Sequence, residues 1–154
     1  MRISEHYVHV RPPNYGEKIN CVELVRDNWG DDAADRCEEQ FVEYFRGGKY
    51  NPVFRVAVDD REKVIGFAAY QRTMLMRDAF DLIWIAVDKK HQGDSVGKAL
   101  TNWRLAEIDE EGGQMVQLVT QKPGYFEKFG FKKIAALGND WYLMLKLLTD
   151  EVTI

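Results

Sequence analysis

The sequence predicts one α/β domain over residues 1–154, with a mixed, mostly antiparallel central sheet and helices on both faces. Three observations predict this class. Two segments with helical periodicity follow a short first strand, three β-rich segments come next in succession, and a further amphipathic helix separates these from the late strands. The resulting order is β-α-α-β-β-β-α-β-α-β-β. A chain of 154 residues also has the usual length of a single domain.

Glycine and proline residues mark where these elements begin and end. Gly30, Gly47 and Gly112 each follow a helical pattern, and Pro123 begins a short late helix. The predicted helices are residues 17–28, 31–46, 96–111 and 123–129. The predicted strands are residues 6–10, 53–58, 64–71, 80–87, 114–120, 131–135 and 141–148.

Apolar patterning predicts where the core lies. The longest unbroken apolar run, residues 82–87, belongs to strand 80–87 and predicts a central strand that is buried on both faces. The helix that follows it has an amphipathic pattern. Its predicted buried face comprises Val96, Ala99, Leu100, Trp103 and Ala106.

Composition excludes several classes of protein. A formal net charge of −4 argues against a dedicated nucleic-acid binder. The apolar run 82–87 is far shorter than the roughly 20 residues of a membrane span, and the first ten residues lack an apolar signal core. Cys21 and Cys37 are too few for a disulfide scaffold or a zinc site. We therefore expect a cytoplasmic protein with two buried thiols, no metal, and no nucleic-acid or membrane partner.

Charge is unevenly distributed along the chain. Residues 23–43 carry eight acidic and two basic side chains, a local net charge of −6. This segment is either a solvated helix surface or an acidic wall that attracts a cationic substrate.

The turn at residues 91–98, HQGDSVGK, follows the apolar strand and begins the next helix. Because a helix start presents unpaired N–H groups and glycine lets a ligand approach the backbone, this turn predicts an anion site, typically for phosphate. It is not a P-loop, since three rather than four residues separate Gly93 from Gly97 and Ala99 replaces the Mg²⁺-binding hydroxyl. The glycine spacing also fails the dinucleotide-binding motif.

A different phosphate motif fits this turn. Gln92 to Gly97 matches Q/R-x-x-G-x-G/A at its first and last positions, with Ser95 in place of the middle glycine. This motif and three further segments occur in a fixed order along the chain. Together they make residues from about 53 to 148 resemble the GNAT N-acetyltransferase superfamily. Those segments are VIGFA at 64–68, IAVD at 85–88 and FEKFGF at 126–131, the last similar to Y-E-K-x-G-F. The resemblance implies the acyl-CoA N-acyltransferase fold.

The resemblance also implies that acetyl-CoA is the co-substrate and indicates which residues bind it. Backbone groups of the central strand would hold the pantetheine and the thioester, and those of the turn would bind the pyrophosphate. The implied cofactor-binding residues are Ile85, Ala86, Val87, Gln92, Gly93, Asp94, Ser95, Val96, Gly97, Lys98, Phe126 and Lys128.

Two residues are candidates for proton transfer. Asp81 lies eleven residues before Gln92, the spacing of the base glutamate in histone-type members, and would take a proton from the acceptor ammonium. Alternatively, it is a structural carboxylate paired with Arg77 or a neighbour. Phe126 occupies the position of the family's proton-donating tyrosine. Either Tyr125 substitutes for it, water protonates the departing thiolate, or transfer is weak.

The implied function is an acetyl-CoA-dependent N-acetyltransferase that transfers the acetyl group directly to a primary amine in a ternary complex. The acceptor would be a small-molecule or peptide amine, and the acidic segment favours a cationic one. Phe126 favours the alternative of a non-catalytic acyl-CoA-binding regulatory protein. A third hypothesis is an interaction module whose acidic helices bind a basic partner. The apolar last strand, residues 141–148, predicts a possible homodimer.

Overall fold

Helices cover both faces of a seven-stranded sheet in the computed structural model, which describes residues 8–74, 76–93 and 95–148. The predicted order of elements is confirmed, although residues 6 and 7 of the first predicted strand lie outside the described residues. The helices are α1 (Lys18–Trp29), α2 (Asp31–Arg46), α3 (Val96–Glu110) and α4 (Pro123–Glu127). The strands are β1 (His9–Arg11), β2 (Val53–Val58), β3 (Val64–Arg72), β4 (Ala79–Val87), β5 (Met115–Thr120), β6 (Lys132–Gly138) and β7 (Trp141–Leu147).

The strands lie in the order β1-β2-β3-β4-β5-β7-β6, and β4 and β5 form the parallel pair in an otherwise antiparallel sheet. That parallel ladder has three residue pairs and ends where Asp81 faces Gln117. On its other side, β4 carries an extra residue, Ile83, between the two pairs that it makes with β3 there. Because a bulge bends a strand, β4 turns away from β5 and a cleft opens between them.

Different helices pack on the two faces of the sheet. Helices α1 and α2 bury one face through an aromatic cluster that includes Phe41, Phe54 and Phe67. Helices α3 and α4 pack on the opposite face, against Phe80 and Leu82 of β4. The cleft at the end of the β4–β5 ladder is therefore accessible to residues of both helical layers.

The prediction that β4 is buried on both faces is wrong for its second half. Ala79, Phe80, Leu82 and Ala86 are buried. The other apolar residues of the run, Ile83, Trp84, Ile85 and Val87, are half-buried. The separation from β5 removes the neighbouring strand that would have covered them. This half of the apolar run therefore lines a cleft.

The predicted buried face of α3 is also partly wrong. Val96 and Leu100 are buried as expected, but Ala106 is exposed, and Ala99 and Trp103 are half-buried. The helix is rotated so that positions four apart face the sheet, and the remaining buried residues are Thr101, Arg104 and Ile108. A buried arginine is not expected from an apolar pattern, since charged side chains ordinarily face solvent.

Cys21 and Cys37 are free thiols that are fully buried, which confirms the expected state of the two cysteines. Burial raises the pKa of both thiols, so neither is activated as a nucleophile at neutral pH. Within residues 8–74, 76–93 and 95–148, no helix combines the length and apolarity needed to cross a membrane.

Candidate active site

The second half of β4 forms one wall of the cleft. Ile85, Ala86 and Val87 lie beyond the last pair of the β4–β5 ladder, at the positions predicted to hold the pantetheine and the thioester. A strand released from one neighbour has backbone N–H and C=O groups that can bind an extended ligand as a neighbouring strand would. The geometry thus suits the predicted use of these three residues.

Asp81 lies at the start of the cleft. Its neighbours Phe80 and Leu82 pack toward α3 and α4, so alternation along the strand puts Asp81 on the α1–α2 face. The Gln117 side chain donates a hydrogen bond to Asp81 Oδ1 at 2.7 Å. The predicted pairing with Arg77 is wrong, because Asp81 has no ion-pair partner within the described part of the chain.

Burial raises the pKa of Asp81, and the Gln117 hydrogen bond opposes this to a smaller extent. A raised pKa makes the carboxylate a stronger base. The pair therefore has the chemistry that accepting a proton from an amine requires.

The same face carries aromatic side chains beside Asp81. Trp84 donates a hydrogen bond from its indole nitrogen to Gln40 of α2, and its ring lies 6.2 Å from that of Trp29. Trp29 is 53% exposed. These rings give the acceptor side of the cleft a flat, partly exposed aromatic surface.

The predicted anion-binding turn begins immediately after β4. Asp88 accepts a hydrogen bond from the backbone N–H of Lys90 and begins a 3₁₀ turn, and the Gln92 side chain donates to the carbonyl of Val87. Gly93 has a φ of +92°, and a side chain there would meet open space. Asp94, a predicted contact, lies outside the described residues.

Helix α3 starts at the end of this turn. Its first backbone hydrogen bond runs from Ala99 N–H to the carbonyl of Ser95. The N–H groups of Val96 and Gly97 precede this bond, so they point past the helix start, where an anion is stabilised. The geometry fits the pyrophosphate site that the motif predicts.

Ser95 explains why the family pattern has glycine at the middle position. Its backbone adopts a φ of +67°, a left-handed conformation that costs a residue with a Cβ about 1 kcal/mol. We expect Ser95→Gly to raise the free energy of unfolding by about 0.5–1 kcal/mol, measured by urea denaturation. Asp140→Gly is the matched control, because Asp140 has a φ of +63° far from the turn.

In this comparison, Ser95→Gly should also retain acetyl-CoA binding, because backbone N–H groups bind the anion. A loss of affinity confined to Ser95→Gly would mean that the serine hydroxyl binds the pyrophosphate. Equal affinity in all three proteins would confirm that the backbone is the binding element.

The structure distinguishes the two neighbouring aromatic residues of α4. Phe126 is 7% exposed and packs in the core with the ring of Phe131. Tyr125 is half-buried, and its hydroxyl lies against Gly97 near the start of α3. Phe126 thus has a packing role here, and its contact with the cofactor stays a prediction. Tyr125 is the residue whose polar end reaches the helix that begins the anion site.

Tyr125 and Gly97 are in close contact. A Cβ added at Gly97 would lie 2.8 Å from the Tyr125 hydroxyl oxygen and 3.8 Å from Ile85 Cδ1. The predicted phosphate site, the cleft wall and the candidate proton donor therefore meet at this glycine. Any larger residue at position 97 must displace the tyrosine as well as obstruct the turn.

This contact predicts non-additive effects. Gly97→Ala should lower kcat by displacing the Tyr125 hydroxyl, whereas in a Tyr125→Phe background the same change should have little further effect on kcat, because the obstructing oxygen is gone. Steady-state kinetics of the four proteins measure this coupling. Independent, multiplicative effects would mean that Gly97 acts through the turn alone.

The predicted lysines are surface residues. Lys98 on α3 and Lys128 at the end of α4 are exposed, as are Lys89 and Lys90 in the turn. Exposed ammonium groups near a helix start add positive potential for a polyanion without fixing its position. Their contribution to pyrophosphate binding stays a prediction. Within the described residues, no three His, Cys, Asp or Glu side chains form a potential metal site.

The sequence interpretation missed three polar residues of this region: Gln117, Thr101 and Arg104. Gln117 is the one polar side chain within strand segment 115–119, a signal that could have singled it out. Thr101 and Arg104 lie on a helix where polar residues are common, so only the rotation of α3 reveals them.

A mixed sheet whose central parallel pair separates beside an anion-binding helix start defines the acyl-CoA N-acyltransferase class. A family model described as the acetyltransferase (GNAT) domain matches residues 51–133, more than half of the chain. The chain belongs to this family. The family and the fold class predicted from the sequence are thereby confirmed.

Solved structures share this fold at low sequence identity. One described as an acetyltransferase of the GNAT family from Desulfovibrio desulfuricans has a TM-score of 0.83 at 22% identity, covering 92% of this chain and 99% of that chain. An aminoglycoside 6'-N-acetyltransferase complexed with coenzyme A has a TM-score of 0.75 at 18% identity, covering 93% and 98%. PaiA N-acetyltransferase from Thermoplasma acidophilum, in complex with coenzyme A, has a TM-score of 0.75 at 15% identity, covering 91% and 98%. No curated protein matches the sequence.

Proposed function

We propose that this chain is an acetyl-CoA-dependent N-acetyltransferase that transfers the acetyl group directly to a primary amine in a ternary complex. The observation that carries the proposal is the cleft itself. It has a carboxylate with a raised pKa, Asp81, on the α1–α2 face, and a hydroxyl, that of Tyr125, beside the anion-binding helix start. A base and an acid are thus available on different sides of the separated strands.

In this mechanism Asp81 accepts the proton of the acceptor ammonium, directly or through a water molecule. An unperturbed alkylammonium has a pKa of about 10.4, so at neutral pH the amine must be deprotonated before it attacks. Gln117 orients the carboxylate by its hydrogen bond. Backbone N–H groups of the β4 wall stabilise negative charge on the carbonyl oxygen during attack.

Tyr125 supplies the proton that the departing sulfur takes up. Burial raises the pKa of this tyrosine, so its hydroxyl stays protonated at neutral pH. The amine nitrogen forms a bond to the acetyl carbon and loses its second proton to solvent, the carbon–sulfur bond breaks, and the tyrosine proton moves to sulfur. The phenolate regains a proton from solvent, and one proton per turnover is released overall.

The first experiment separates binding from turnover. Thermal unfolding with acetyl-CoA should show stabilisation of about 2.7 kcal/mol at 100 times Kd. Thiol release with a panel of amines then tests transfer. Stabilisation by acetyl-CoA together with thiol release that depends on an amine supports the proposal, whereas no stabilisation contradicts it and favours the interaction module.

The second candidate function is a non-catalytic acyl-CoA-binding regulatory protein. The observation that favours it is Phe126 at the family's tyrosine position, packed in the core. The nearby Tyr125 hydroxyl favours catalysis instead. Stabilisation by acetyl-CoA without thiol release from any amine would support the regulatory protein.

We expect a cationic acceptor, such as a polyamine or a lysine-rich peptide. The acidic side chains of α2 line an open groove of about 500 Å³ on its outer surface, with Asp35, Glu39 and Glu43 among its residues. They lie opposite the side that packs on the sheet, so they act on an amine through long-range attraction. KM for a cationic acceptor should therefore rise with ionic strength, measured from low salt upward.

An acidic amine of similar size is the matched control for this prediction. If acidic or neutral amines are the better substrates and salt leaves KM unchanged, the acidic side chains are only a solvated helix surface. A cytoplasmic location and a homodimer also remain predictions. Strand β7 itself cannot pair across a dimer, because it lies between β5 and β6 and is paired with both. Exposed Leu137 and Trp141 of the β6–β7 hairpin favour the homodimer, and sedimentation measures it.

A further inference from the structure

Arg104 of α3 is a buried cation, and none of the residues that the structure describes is its anionic partner. It is 1% exposed, and its Nε atom has no hydrogen-bond partner in the described residues. Arg55, by comparison, pairs with Glu107 at 2.9 Å. Burial lowers the pKa of Arg104 to about 9. Because an isolated buried charge is costly, packing alone does not account for arginine at this position.

One end of the guanidinium holds the bulge of β4. Its Nη1 atom donates to the carbonyl of Ala69 at 3.0 Å and to the carbonyl of Trp84 at 3.1 Å. These two residues form the pair next to the bulged residue, Ile83. Arg104 is therefore attached to the backbone at the point where β4 begins to leave β5.

The other end of the Arg104 guanidinium points toward Thr101 and the candidate proton donor, Tyr125. The Nη2 atom donates to Thr101 Oγ1 at 3.4 Å. Thr101 lies one helical turn after Gly97, and the Tyr125 hydroxyl lies against Gly97 on the same side of α3. A guanidinium can only donate, so Thr101 accepts from Arg104 and can direct its own proton to the tyrosine oxygen. That arrangement leaves the Tyr125 proton available to a group in the cleft.

The charge of Arg104 also acts on Tyr125. Burial raises the pKa of the tyrosine, while Thr101 and Arg104 lower it by favouring the phenolate. The other charged groups on α3 and α4 are Lys98, Glu107, Asp109, Glu110 and Glu127, and Lys128 follows α4. Glu107 is half-buried and pairs with Arg55, and the rest are exposed and more strongly screened by solvent.

We propose that Arg104 and Thr101 are positioning residues that prepare Tyr125 to protonate the departing thiolate. The inference rests on the proposed N-acetyltransferase function. As the tyrosine O–H bond breaks and a sulfur–hydrogen bond forms, the Thr101 hydroxyl and the Arg104 guanidinium stabilise the phenolate. The buried cation thus has its anion only during the reaction.

The test uses two pairs of variants. Thr101→Val removes the hydroxyl at nearly constant shape and should lower kcat about tenfold, with little change in KM for acetyl-CoA. Thr101→Ser keeps the hydroxyl and should restore most of the rate. Arg104→Met should lower kcat similarly in the folded protein, whereas Arg104→Lys should keep part of the activity.

A second measurement does not depend on turnover. The measurement is an NMR titration of protein labelled with ¹³C at tyrosine Cζ. The resonance that disappears in Tyr125→Phe is assigned to Tyr125. This resonance should titrate at higher pH in Thr101→Val and Arg104→Met than in the wild type. Thr101→Ser should titrate like the wild type. A purely structural role would leave this titration unmoved in every folded variant.

The outcomes separate this inference from the proposed function. If Tyr125→Phe lowers kcat but folded Thr101→Val does not, and the Tyr125 titration is unchanged, the positioning role is overturned while the N-acetyltransferase remains. If Tyr125→Phe leaves kcat unchanged, the proposed proton donor itself is wrong. Should Arg104→Met fail to fold, the Thr101 pair decides the question.

Discussion

Asp81→Asn should lower kcat by about a hundredfold or more and raise KM for the amine much less, because a general base acts in the transition state. The Gln117 amide can still donate to the asparagine oxygen, so the local geometry survives. Steady-state kinetics with saturating acetyl-CoA measure the effect. Asp78→Asn is the matched control, since Asp78 lies in the turn before β4, near Arg72 at 3.9 Å.

The same variant should be at least as stable as the wild type at neutral pH. The folded-state pKa of Asp81 is raised by burial, so its contribution to stability is present below the unfolded pKa of about 3.9 and is lost as pH rises through the folded value. The carboxylate therefore destabilises the fold at pH 7. Asn removes this penalty, and the difference in Tm should vanish in acid, where Asp81 is protonated in both states.

The pH dependence of the rate follows from the same shift. In the wild type, kcat/KM should fall as the pH drops through the raised pKa of Asp81, above the ordinary value of about 3.9. An Asp81→Asn protein with an unchanged rate and an unchanged acidic limb would show that Asp81 is a structural carboxylate held by Gln117.

Tyr125→Phe should lower kcat by about tenfold to a hundredfold while acetyl-CoA still binds, because the departing thiolate loses its proton donor. Thiolates are adequate leaving groups, so some activity should persist. Tyr142→Phe is the matched control, because it removes a hydroxyl from β7, outside the cleft. The values of kcat for both variants and the wild type are compared, with the amine that gives the fastest thiol release as acceptor.

Phe126→Tyr tests whether the family position can be restored. Because Phe126 packs in the core, the added hydroxyl would be buried without a partner, and we expect a loss of about 1–3 kcal/mol of folding stability with no gain in kcat. A stable, faster Phe126→Tyr protein would mean that position 126 faces the thiolate. Unchanged rates in Tyr125→Phe and Phe126→Tyr would favour water as the proton donor.

The sequence by itself determined the kind and order of the elements and the place of the anion site. These are local properties: hydrophobic periodicity distinguishes helix from strand, and glycine and proline mark the ends. The turn at 91–98 could be recognised because a helix start binds anions through its own backbone. The three segments resembling GNAT proteins lie within or next to such elements, so their order in the chain was sufficient to identify the family.

Only the tertiary structure decided which side chains meet. The three-pair ladder that ends at Asp81 and Gln117 depends on how β4 bends, and the choice between Tyr125 and Phe126 depends on how α4 packs. Arg104 is the clearest case, because a pattern of residue types assigns a charged side chain to the solvent, whereas the rotation of α3 buries it against β4 carbonyls. Register and helix rotation are set by packing between segments far apart in the chain, which no local pattern contains.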